Sequence, residues 1–68
     1  MTLIQAQQRY VNRVNDPNNN PGHLRRVRRG ASNQFYKWAR GRGIPETEIS
    51  ILLNDAIDMA KLERDAEE

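Results

Sequence analysis

The sequence predicts an all-α protein, a compact bundle of three to four helices in one domain over 1–68. Three observations carry that prediction. Apolar residues recur every three to four positions in three separate stretches. Asn, Pro and Gly cluster between those stretches and punctuate them. No segment alternates apolar with polar residues as a half-buried strand does.

The first helix is expected over about 3–15. Thr2 and Gln5 stand at capping-box spacing, and Leu3, Ala6, Tyr10 and Val14 follow at helical intervals. Pro17 stops the helix, because a residue before proline avoids the α region. Residues 16–22, Asp-Pro-Asn-Asn-Asn-Pro-Gly, read as a loop made of turn formers. Asn20 as cap with Pro21 at the first helical position is its expected exit. The next stretch, 21–41, places Leu24, Val27, Ala31, Phe35, Trp38 and Ala39 on one helical face. Gly30 leaves two readings open there, one continuous helix or two short helices broken near it. Gly41 and Gly43 end the stretch, and Pro45 opens a last helix over about 45–64. Glu46 and Glu48 suit the positive end of its dipole, and Ile49, Leu52, Leu53, Ala56, Ile57 and Ala60 form its apolar stripe. Residues 65–68 are expected to fray.

Composition narrows the function classes. A chain of 68 residues without Cys has no disulfide framework and no Cys-based zinc site. No apolar run approaches the ~20 residues of a membrane span. The opening Met1-Thr2-Leu3-Ile4 shows no basic, apolar leader, and a cytoplasmic location is the expectation. Catalysis has little to build on. His23 is the only imidazole, Ser32 and Ser50 sit in no nucleophile motif, and no glycine loop follows a strand. Asp55 and Asp58 share a helical face, but a hard cation collects about six or more oxygens, so they read as solvated. A non-enzymatic binding protein without cofactor, metal or small-molecule substrate is expected.

The net charge of +2 conceals a segregation. Residues 23–43 sum to +7 without one acid, and 44–68 sum to −6. Either the halves neutralise each other or each meets a partner of opposite sign. On a continuous helix Arg25, Arg29, Tyr36 and Arg40 share the face opposite Leu24 and Phe35, bordered by Arg26, Asn33 and Lys37, with Arg42 beyond. Guanidinium groups bind phosphate or carboxylate in pairs of bonds, and a tyrosine among them can stack on a base. The bland alternative is a solvated helix face.

Residues 35–53 resemble a helix-turn-helix unit, with Ala39, Gly43, Ile49 and Leu52 at that motif's small, glycine and buried apolar positions. The resemblance implies a tight joint between the last two helices. It departs from the motif at Glu46, Thr47, Glu48 and Ser50, where two carboxylates would face a polyanion in the major groove. Any nucleic acid is therefore expected on the arginine face. The competing expectation is an inhibitor or adaptor, of the kind phage and mobile elements encode, that binds a larger host protein. Ile51 and Leu62 lie off the apolar stripe and flank Asp55 and Asp58. With Met59 they are expected to form a homodimer or partner contact, because so short a chain gains stability by associating.

Overall fold

Residues 1–66 are described by a computed structural model, and they form α1 (Leu3–Val14), α2 (Leu24–Gly41) and α3 (Glu46–Ala66). A single 3-10 turn, Pro21–His23, leads into α2. Local chemistry sets the ends of these helices. The Thr2 hydroxyl accepts from the Gln5 backbone N–H at 3.2 Å, and Gln5 Oε1 accepts from the Thr2 N–H at 2.9 Å, the reciprocal box read from the sequence. At the other end of α1 the Asn15 N–H donates to the Val11 carbonyl, and Asn19 Nδ2 donates to the Arg13 carbonyl at 2.7 Å. The asparagine-rich loop thus satisfies carbonyls that the end of a helix leaves open. Asn20 Oδ1 accepts from the Gly22 N–H at 2.9 Å, with Pro21 in the first position of the turn. Residues 21–22, expected as loop, belong to this turn.

Gly30 does not break α2. The Arg13 guanidinium crosses over it, and a Cβ built there would lie 3.1 Å from Arg13 Nη2. The glycine leaves room for the Arg13 side chain to cross α2. Gly43 has a different task. Its φ of 78° is left-handed, its N–H donates to the Arg40 carbonyl, and the Ile44 N–H donates to the Ala39 carbonyl. That is a Schellman closure, and it turns the chain from α2 into α3. Alanine is therefore expected to act oppositely at the two sites. Gly43→Ala meets the left-handed penalty of about 1–2 kcal/mol. Gly30→Ala raises stability by up to ~1 kcal/mol, since the obstructing atom is the far end of an exposed, flexible arginine. Urea unfolding of both variants checks the pair of signs.

The end of α3 differs from expectation. Asp65 and Ala66 continue the helix rather than fraying, and Glu67 and Glu68 of that expected tail lie outside the described residues.

Helix α1 touches both of the others. It runs antiparallel to α2, with the Met1 carbonyl accepting from Arg42 at one end and Arg13 over Gly30 at the other. It runs parallel to α3. Gln7 Nε2 donates to the Leu52 carbonyl at 3.1 Å, and Asn15 Nδ2 donates to the Ala60 carbonyl at 2.8 Å. Both bonds join residues 45 positions apart, as two helices in parallel register require.

Two apolar clusters result. Near the joint Ala6 meets Phe35, Ala39 and Ile49, and beyond it Tyr10, Val11 and Val14 meet Ala31, Ala56 and Ala60. Alanine is frequent among these contacts because helices this close leave no room for more. Val11, fully buried, and Gln7 were not among the expected core residues. A helix covered on two sides buries a wider arc than the stripe that faces one neighbour. Leu24 and Val27 are only half-buried, because they lie in the half of α2 remote from the joint with α3.

Candidate nucleic-acid interface

Continuity of α2 decides the geometry of the basic stripe. Arg25, Arg29, Arg40 and Tyr36 stand along one line, with Arg26, Asn33 and Lys37 beside it. All except the half-buried Tyr36 are exposed. From Arg25 to Arg40 the stripe extends about 22 Å, roughly six phosphate steps along one nucleic-acid strand.

The members of the stripe are not equally available. Arg40 Nη2 lies 2.6 Å from Glu46 Oε1, the one ion pair among the described residues. Both side chains are exposed, and an exposed pair contributes about 0.2–1 kcal/mol, so an incoming phosphate competes with it readily. The Tyr36 hydroxyl shares a hydrogen bond with Ser50 Oγ at 3.0 Å, and the Arg40 guanidinium sits 5.9 Å from its ring centre. Tyr36 thus serves the joint between α2 and α3, and the stacking role expected for it meets a ring already partnered by Arg40. Arg42 is not brought to the stripe. Its guanidinium lies 5.3 Å from the Trp38 ring centre and donates to the Met1 carbonyl, fastening α1 to the joint. Arg25, Arg26, Arg29 and Lys37 contact no carboxylate among the described residues.

The joint has the local features that the helix-turn-helix resemblance implies. Ala39 and Ile49 are fully buried, Gly43 makes the turn, and Leu52 is partly covered. Glu46 and Glu48 are exposed on the first turn of α3, so that turn presents acid to solvent. Farther along α3, Ile51 (61% exposed) and Leu62 (70% exposed) share an outward face with Asp55 and Asp58. Met59 departs from the expectation. It is half-buried against the Tyr10–Val11–Ala56 cluster and belongs to the core margin, because its register rotates it toward Ala56.

Three cations that sequence reasoning left out also matter. Arg28 continues the basic surface toward α3 and lines a cavity between the two helices, which Lys61 and Arg64 line from the opposite side. The signal was present in their spacing, since Lys61 and Arg64 lie one helical turn apart and share the side of α3 that bears Ile57. Summing the charge of residues 44–68 to −6 hid it.

Among the described residues no three His, Asp or Glu side chains converge to hold a metal ion, and no helix is long and apolar enough to cross a membrane. No known protein family, curated protein or solved structure matches this chain.

Proposed function

We propose that this protein is a non-enzymatic regulator that binds nucleic acid along α2. Arg25, Arg26, Arg29 and Lys37 hold phosphates, Arg40 joins them on release from Glu46, and Asn33 adds a polar contact. One observation supports this above the others: α2 carries four exposed cations on one unbroken face with no carboxylate beside them among the described residues. Exposed arginine in such density attracts phosphate through charge and binds it through paired N–H donors. Sequence is read weakly on this account, since the first turn of α3, the part a helix-turn-helix unit inserts into the major groove, is acidic.

Anisotropy titrations of random-sequence DNA and RNA against salt test the reading. With four phosphate contacts, log affinity falls against log salt with a slope of about −3.6, close to a 100-fold loss between 50 and 200 mM. Absence of binding at low salt, or a flat slope, overturns it.

A second reading rests on the outward face of α3. Ile51 and Leu62 are the most exposed large apolar side chains of that helix, and they occupy one stripe. Such a stripe suits a second copy of the chain. Ile51→Asp then lowers the mass measured by light scattering while helicity persists. An unchanged mass removes this reading.

A further inference from the structure

We infer that the cleft between the far ends of α2 and α3 is a phosphate-binding site that adjoins the outer stripe of α2 and adds Arg28, Lys61 and Arg64 to it. Away from their joint the two helices leave a cavity of about 490 Å³, floored by Tyr10 and Val14 of α1 and by Asn15 just beyond it. Arg25, Arg28 and Arg29 form one wall, and Lys61 and Arg64 stand on the other. No carboxylate lines this cavity among the described residues. Asp16 lines a smaller adjoining recess of about 160 Å³ and accepts the Asn18 N–H at 2.9 Å.

Five like charges brought together on two helices repel one another, and nothing in the apolar packing of α1 requires them there. Helix α3 is otherwise acidic, yet Asp55 and Asp58 stand on its outward side while its two cations, Lys61 and Arg64 near its C-terminal end, face the arginines. A cleft whose base is lined by Tyr10, Val14, Ile57 and Ala60 concentrates the field of the charges at its rim and draws in anions. The chemistry of those charges favours phosphate. Guanidinium groups on both walls supply forked N–H donors to tetrahedral oxygens, and Lys61 adds a mobile point charge. A water molecule takes about 30 Å³ of liquid, so the volume suits a short run of phosphates and a few waters.

Two sources supply such a run: free polyphosphate and the backbone of a nucleic-acid strand. In the second case the inference rests on the function proposed above. Arg25 and Arg29 belong to both surfaces, so a strand lying on α2 passes over them into the cleft.

The experiment measures inorganic tripolyphosphate and a random-sequence single-stranded oligonucleotide by calorimetry, with sodium chloride of equal ionic strength as background. It compares wild type with Lys61→Gln/Arg64→Gln in the cleft and with Arg26→Gln/Lys37→Gln on the outer stripe. All four side chains are exposed, and glutamine retains much of each stem. The cleft variant is expected to lose about tenfold in tripolyphosphate affinity, and the stripe variant to stay within about twofold of wild type. The same cleft variant losing about tenfold for the oligonucleotide identifies the backbone as a ligand of the cleft. Oligonucleotide affinity unmoved by the cleft variant, with tripolyphosphate still lost, upholds the site and assigns it to free polyphosphate. Tripolyphosphate binding without any oligonucleotide binding upholds the site and removes the proposed function instead. Tripolyphosphate no better bound than chloride, or bound equally by the cleft variant, overturns the inference.

Discussion

Reversing Arg25 and Arg29 together to glutamate is expected to weaken nucleic-acid binding by about 100-fold at fixed salt, and to flatten the salt slope by about two. No other pair is expected to do as much, because these two side chains serve the outer stripe of α2 and line the cleft beside it. The change removes two phosphate contacts and adds two negative charges near the remaining cations. Non-specific complexes have dissociation constants of about 10⁻⁴ to 10⁻⁶ M, so a 100-fold loss takes binding out of range at physiological salt. The fold is expected to survive, since both arginines are exposed and neither contacts a carboxylate among the described residues. Circular dichroism establishes the second half of the prediction, and anisotropy the first. Asp55→Lys with Asp58→Lys is the matching control. It alters charge by a similar amount on the outward face of α3 and leaves nucleic-acid affinity equal or slightly higher. If that control abolishes binding and the arginine reversal does not, α3 is the working surface and the proposed function fails.

Ile49→Ala is expected to have the largest effect on stability. Ile49 is completely buried where all three helices meet, against Ala6, Phe35 and Ala39. Truncation of a buried isoleucine to alanine costs about 2–5 kcal/mol, the lost burial plus the cavity left behind. A domain of this length has a stability of roughly 3–10 kcal/mol, so the substitution removes much of it. Alanine also forms helix well, which leaves the cavity as the main cause. Urea unfolding followed through the single Trp38, which adjoins the same cluster, measures the loss. Ile51→Ala, two positions along and exposed, is expected to stay within about 0.5 kcal/mol of wild type. A loss below about 1 kcal/mol at Ile49 would contradict its burial at the centre of the bundle.

The helix ends were legible because their causes are local. Thr2 with Gln5, Asn20 with Pro21, and Gly43 each act on backbone groups within a few residues. The burial of Gln7 and Val11 was not legible, since it depends on α1 having a neighbour on each side. Gly30 illustrates the same boundary. Its propensity argued for a break, and what it allows is the passage of Arg13 from another helix. At the candidate site the α2 stripe follows from periodicity once the helix is continuous. The engagement of Arg40 with Glu46 and of Tyr36 with Ser50 follows only from the angle of the joint. The cleft required more still, because Lys61 and Arg64 meet Arg28 only after α3 has folded back beside α1.

The shared contacts of α1 also govern how the molecule comes apart. Detaching that one segment opens both apolar clusters at once and frees the amides of Gln7 and Asn15 from their carbonyl partners on α3. A hairpin of α2 and α3 alone keeps little beyond the contacts at its bend. Loss is therefore all-or-none: slow amide protons in the middle of each helix should exchange with deuterium through one common opening event, with a single free energy for the three.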